Sequence, residues 1–233
     1  LNNKKEGNKV LKSLTNLKIE THCTKNIPER VLSSVEKIFV DNYKEANVNY
    51  LNESISRLRY LVTATVKGIP VGFSLGDCVK VSLPRIEKPT IVVLAGLGCV
   101  QKGYRRKGIF NHLQRLSSFS SGLLPTNERR LICGRVAHPV SFKGMSINPT
   151  VVPKLDIEPT PWQQEVGKCI AQLYGVELDA KTFVVKSTGN IIGYPKIEIE
   201  ATKNDWKIFE RVNRKLGESL LAIAWVPNAP KDW

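Results

Sequence analysis

The segment Val100-Gln-Lys-Gly-Tyr-Arg-Arg-Lys-Gly-Ile-Phe-Asn-His-Leu113 holds the residues of this chain best suited to chemistry. The apolar run Thr90–Val100 leads into a loop that carries Lys102, Arg105, Arg106 and Lys107. Gly108 then stands where an amphipathic helix begins, with Ile109, Leu113 and Leu116 on one side. A helix start leaves backbone N–H groups without partners and carries about half a positive charge, and a glycine lets an anion come close to them. Residues 105–110 are therefore a candidate cradle for a diphosphate; the competing reading is a solvated basic turn. Spacing excludes two familiar phosphate loops. Gly96-Leu-Gly98 lacks the third glycine of the dinucleotide fingerprint, and no G-x-x-x-x-G-K-[ST] run occurs.

Gly96 and Gly98 share one face of an extended strand and would leave a strip without side chains where a thin ligand arm can lie; a bulge or close packing is the alternative. Gly72-Phe-Ser74-Leu-Gly76 spells the nucleophile elbow G-x-S-x-G. That motif needs a strand, a sharp turn and a helix, whereas a β-like stretch and a loop with Pro84 and Pro89 follow here, so Ser74 reads as an ordinary strand residue. His138 follows the β-rich run Arg130–Val136, and an imidazole with a pKa near 6.5 is able to take a proton from an amine. The alternative for His138 is a helix-capping or surface role. Ser141 and Tyr174 are further proton-donor candidates, Tyr174 being equally suited to packing at the end of its helix.

The elements that must position these residues follow from periodicity. Residues 17–22 alternate as a strand, and from Pro28 the apolar positions Val31, Leu32, Val35, Ile38 and Phe39 recur at helical spacing. A shorter helix is expected over 51–58, then a hairpin of 60–67 and 71–75 around Lys67-Gly68, and a central strand over Thr90–Val100. The signature helix runs from about Lys107 to before Gly122, and Arg130–Val136 is the next strand. Pro149, Pro153, Pro159 and Pro161 mark an irregular connection before a helix with Trp162, Val166, Ile170 and Leu173 on one face. Short β runs over 182–186 and 196–200, an amphipathic helix through Trp206, Phe209, Val212 and Leu216, and a strand over 220–226 complete the chain. The expected organisation is a basic arm over 1–15 and one domain over 16–233, with an insertion at about 146–181.

The 233 residues carry 35 Lys and Arg against 21 Asp and Glu, a net +14, and are 42% hydrophobic, which excludes disorder throughout. The charge favours anionic partners, yet no nucleic-acid recognition motif is present. No apolar run reaches the roughly 18 residues of a membrane span, and the basic, polar start is unlike a secretory signal. The 5 cysteines show no C-x-x-C spacing, so no metal is expected, and reduced thiols in a cytoplasmic protein are.

Loop and element order together resemble the GNAT superfamily of acetyl-CoA-dependent N-acetyltransferases. Its signature is a strand ending in V-x-P and then [RQ]-x-x-G-x-[GA] opening a helix. Arg105-Arg-Lys-Gly108-Ile-Phe110 matches the first two fixed positions, with Val100 and Leu113 at the flanking ones. Lys102 and Phe110 depart from it, standing where a proline and a small residue are usual. The order of elements follows the family's from about residue 17 to 145. The resemblance implies an α/β fold with a mixed, largely antiparallel central sheet flanked by helices and a C-terminal helical insertion. It implies that Arg105, Arg106, Lys107, Gly108, Ile109 and Phe110 bind the pyrophosphate of acetyl-CoA or another acyl-CoA. By the same likeness the backbone of Gly98, Cys99 and Val100 holds the pantetheine and the acyl carbonyl. The implied reaction is direct transfer of the acetyl group to a primary amine of a small-molecule or protein acceptor, without a metal or an enzyme nucleophile. The alternative is an inert module of the same fold that binds CoA or an anionic partner. Many members use a strand carboxylate and a tyrosine on the helix after the next strand; residues 90–100 carry no Asp or Glu, and Phe142 lies about where that tyrosine would be.

Overall fold

The computed structural model describes residues 16–123, 128–187, 193–197 and 199–233; the basic arm expected over 1–15 lies outside them. In chain order the elements are β1 (Leu17–Cys23), α1 (Glu29–Asn42), β2 (Tyr43–Lys44), α2 (Val48–Arg57), β3 (Tyr60–Val66), β4 (Ile69–Val81), β5 (Thr90–Val100) and α3 (Ile109–Phe119). After these come β6 (Arg130–Val136), α4 (Pro139–Ser146), α5 (Pro161–Leu173), β7 (Leu178–Asp179), β8 (Val184–Val185), β9 (Tyr194–Pro195), α6 (Lys203–Trp206) and β10 (Ser219–Val226). Among the described residues the main sheet has 8 strands in the order β1-β3-β4-β5-β6-β10-β8-β7, and it is the mixed, largely antiparallel central sheet that the resemblance implied. No helix among the described residues is long and apolar enough to cross a membrane.

The described residues fall into two compact units that divide within β4 and β5: those of 1–77 with Gly96–Gly122, and Cys78–Ala95 with those of 123–233. In the first, β1 and β3 are antiparallel from Leu17 opposite Val66 to Cys23 opposite Tyr60, and β3 turns into β4 through Lys67 (φ +51°) and Gly68 (φ +78°). Two successive left-handed residues make the turn whose twist matches a hairpin, and a glycine takes the second without steric cost. The inward residues Val62, Ala64, Val66, Val71 and Val100 receive Ile109 and Leu113 of α3, so the helix stripe legible in the sequence is the one that docks. Helix α1 buries Val35, Ile38, Phe39 and, on the same stripe, Asn42.

In the second unit the first half of β5 runs parallel to β6, from Ile91 opposite Arg130 to Ala95 opposite Gly134. A parallel neighbour needs a crossover connection, which the segment containing α3 supplies. β6 pairs antiparallel with β10 from Val136 opposite Leu220 to Arg130 opposite Val226. Helix α5 opens on a capping box between Thr160 and Gln163 and buries Trp162, Val166 and Ile170.

Three expectations are corrected. β4 does not stop at residue 75 but extends to Val81, because Cys78 packs with Ile91 and Val93 and so prolongs the buried face. The run 196–200 forms no strand among its described residues; the pairing residues are Tyr194–Pro195. The amphipathic helix expected through Trp206 to Leu216 breaks into α6 and two 3-10 turns, Lys207–Phe209 and Arg214–Leu216. The Glu218 carboxylate accepts from the Asn213 N–H at 2.8 Å, and Gly217 turns at φ +81°, so the chain folds back where a helix would continue.

Candidate active site

The loop between β5 and α3 is shaped by its own backbone. Lys102–Tyr104 form one 3-10 turn, Arg105 is extended, and Arg106 (φ +62°) and Gly108 (φ +77°) are left-handed. Gly108 is the N-cap of α3 and supplies no side-chain cap. Among the described residues nothing accepts from the backbone N–H groups of Arg106, Lys107, Gly108, Ile109 or Phe110. Left-handed residues interspersed in such a run make a concave row of donors, and the helix dipole adds about half a positive charge there. Lys107 stands with its Nζ over the Tyr104 ring at 5.2 Å.

Arg105 faces inward. Its Nε donates to the Val100 carbonyl at 3.0 Å and a terminal nitrogen to Asn42 Oδ1 at 2.8 Å. Asn42, buried, also donates through Nδ2 to the Ile38 carbonyl (2.8 Å) and to Gln101 Oε1 (3.1 Å). Arg105 thus ties the loop to the end of β5 and to the end of α1. Asn42, Gln101 and Tyr43, whose hydroxyl donates to the Gly98 carbonyl at 3.2 Å, are site residues that the sequence reading passed over. The available signal was an amide at a core position of the α1 stripe: buried polar groups are paired, so Asn42 had to hold something.

The open strip along Gly96 and Gly98 is a further expectation that the structure corrects. A side chain at Gly96 would meet Leu58 and Leu75, and one at Gly98 would meet the Phe73 carbonyl at 2.8 Å, Ser74 Cα at 3.0 Å and the Phe110 ring at 3.3 Å. The glycines are there for the close approach of β4. These contacts climb one strand while descending the other, so β4 and β5 are antiparallel. Cys99 is buried with Sγ on the Ile38 carbonyl at 3.8 Å, and burial pushes its thiol pKa up to about 12. Ser74 is fully buried in mid-strand with Oγ on the Leu75 carbonyl, so there is no nucleophile elbow.

His138, Ser141 and Tyr174 all belong to the second unit, whereas the amide cradle belongs to the first. His138 caps α4: its Nδ1 accepts from the Val140 N–H at 3.2 Å, which leaves the ring proton on Nε2. Burial, and then the charge of Arg214, lowers its pKa, so at neutral pH the ring is an uncharged donor. Ser141 lies exposed in the first turn of the same helix. Phe142 is buried edge-on to Phe209 at 6.2 Å. Tyr174, at the end of α5, is buried with its hydroxyl 2.9 Å from the Ala95 carbonyl and 3.0 Å from the Cys133 carbonyl, at the last rungs of the parallel ladder. Its proton is committed to those carbonyls. Tyr174→Phe is expected to cost about 1–2 kcal/mol, the usual toll of leaving buried acceptors unpaired. Urea unfolding reads this as a lower midpoint at constant slope, and an unchanged midpoint would show that the hydroxyl holds nothing.

No protein-family model matches the chain, and no curated protein does. Among solved structures it is similar to an aminoglycoside acetyltransferase from an uncultured soil metagenomic sample in complex with sisomicin, at 18% identity over 44% of this chain and 66% of that one, TM-score 0.28. The chain thus spans slightly under two thirds of that acetyltransferase. It is also similar to a chain of the NatC complex bound to Gag peptide and CoA (16% identity, 56% of this chain and 84% of that one, TM-score 0.36). A third is Arabidopsis thaliana NAA60 in complex with acetyl-CoA (14% identity, 56% and 84%, TM-score 0.36). The fold itself is a mixed, largely antiparallel sheet flanked by helices, with β5 and the basic loop before α3 leading into its parallel neighbour β6.

Proposed function

We propose that this chain is an acyl-CoA-dependent N-acetyltransferase that moves an acetyl group from acetyl-CoA directly to a primary amine of an acceptor. The observation that carries this reading is the row of open amides from Arg106 to Phe110 at the mouth of α3, behind a strand and before a docked helix. Those donors suit two linked phosphates, and a bound acyl-CoA would bring the activated thioester. Arg106 and Lys107 supply charge beside the row, while Arg105, Asn42 and Gln101 fix its shape. For the chemistry, the amine must be neutral and the developing negative charge must meet a donor. We assign His138 Nε2–H and the Ser141 hydroxyl as the donor candidates. Tyr174, its proton already committed, is a positioning residue. With no carboxylate in β5 and a buried phenylalanine at 142, proton removal from the amine falls to solvent, and rate enhancement rests on positioning.

Calorimetry with acetyl-CoA, CoA and ATP tests the reading, with Gly108→Trp as the variant. Both CoA forms should bind, and the variant should lose about tenfold or more, because a side chain at φ +77° is strained and covers the amides. No heat with either CoA form removes the proposal, and equal heat with ATP reduces it to diffuse attraction of polyphosphates. Acetyl-CoA binding without thiol release across a panel of amines identifies the inert module instead.

A further inference from the structure

Arg214 is held in a way that a purely structural arginine does not need. Its guanidinium lies 4.0 Å from the centroid of the Tyr194 ring and 4.8 Å from that of Trp206. Trp206 is itself braced edge-on by Phe209 at 5.9 Å and by His138 at 5.2 Å. The backbone is fixed as well: the N–H of Asn213 is bound by the Glu218 carboxylate, and the Arg214 carbonyl accepts from Gly217 at 3.0 Å. Other firmly placed guanidinium groups have acceptors for their N–H donors: Arg59 on Asp77, Arg85 on Glu165, and Arg105 on Asn42 and the Val100 carbonyl. Among the described residues no carboxylate pairs with Arg214, and its Nε is buried without a hydrogen-bond partner.

A planar cation stacked on aromatic rings has given up its faces and has only its edge to offer. That edge carries the N–H donors, in a fork that matches the two oxygens of a carboxylate or phosphate. Stacking also removes most of the rotamer freedom that binding would otherwise have to quench, so the fork is pre-organised. The Nε–H is closed off by its surroundings, so the edge left to a ligand is the pair of terminal nitrogens of this half-buried side chain. Beside the fork, His138 shares the Trp206 indole and keeps its proton on Nε2, a second donor of the kind an oxyanion takes.

We propose that Arg214, clamped by Tyr194 and Trp206 and accompanied by His138, is a receptor for the carboxylate or phosphate group of an acidic ligand. The site lies wholly within the second unit and does not depend on the CoA reading.

The test is direct observation of the Arg214 side chain. With arginine-labelled protein at constant ionic strength, the Nε–H resonance is followed by NMR while inorganic phosphate, and separately acetate, is titrated in. A saturable shift with phosphate identifies a phosphate receptor, and one with acetate identifies a carboxylate receptor. A shift with neither overturns the proposal. The companion measurement is the rise in melting temperature given by the anion that binds. It should fall about threefold or more in Arg214→Gln, whereas Arg211→Gln, an exposed neighbour outside the clamp, should keep it. Equal loss in both variants means diffuse attraction to a basic chain and overturns the proposal. Should Arg214→Gln fail to fold, the wild-type resonance still decides.

Discussion

Asn42→Ala should lower stability by about 2–4 kcal/mol and weaken acetyl-CoA binding by about tenfold or more, although Asn42 lies outside the basic loop. The substitution removes three bonds at once: to the Ile38 carbonyl, to Gln101 Oε1 and from Arg105. Each abandoned partner is at least partly buried, and one is charged, so water repairs the loss only in part. Arg105 would keep its bond to the Val100 carbonyl but lose the fixed point that sets its direction. Gln101 and Arg105 flank the turn Lys102–Tyr104, so both ends of that turn loosen together and the amide row after it loses its shape. Asn42→Asp separates the two roles. It preserves and strengthens the contact with Arg105, but aims oxygen lone pairs at the Ile38 carbonyl and at Gln101 Oε1. Stability should still fall, while affinity should fall less than in Asn42→Ala. Urea unfolding and calorimetry read the two effects separately. An Asn42→Ala variant with unchanged affinity would show that the loop keeps its shape without this hub.

What the sequence revealed, and what it hid, divides at Arg105. Local periodicity placed α3 because Ile109, Leu113 and Leu116 meet their partners at the spacing the helix itself imposes. The same reading counted Arg105 among the cations offered to a ligand, because charge is visible in sequence and direction is not. Its inward turn depends on Asn42, 63 residues away. Gly96 and Gly98 were ambiguous for a similar reason: a missing side chain looks the same whether the space belongs to a ligand or to Leu58 and β4. His138 had a local signal in the proline after it, since Pro139 marks a first helical turn and the residue before it is the natural cap. The helix expected through Trp206 and Leu216 had the right spacing. It broke at Asn213 and Gly217, residue types that tolerate turns, once the Glu218 carboxylate took the Asn213 N–H.

Gly98→Ala is expected to destabilise the chain by about 2–4 kcal/mol, a large effect for a single methyl group. The new Cβ would stand 2.8 Å from the Phe73 carbonyl oxygen and 3.0 Å from Ser74 Cα. Both are backbone atoms of a paired strand and cannot step aside as a side-chain end can. Relief requires β4 and β5 to part at the point where Tyr43 also bonds the Gly98 carbonyl. Gly134→Ala is the control. It too lies in a strand, but the nearest atom is Ala95 Cβ at 3.6 Å, an ordinary contact, so the change should be neutral or stabilise by up to about 1 kcal/mol as glycine's freedom in the unfolded chain is lost. The contrast isolates crowding from backbone entropy. Phe110→Ala in the Gly98→Ala background removes the one obstacle able to move, the ring at 3.3 Å, and should restore little, because the closer contacts are to backbone. Urea midpoints at constant slope measure all three variants. Gly98→Ala as stable as the wild type would mean that β4 and β5 separate freely here, and would reinstate the open strip along Gly96 and Gly98 that close packing denies.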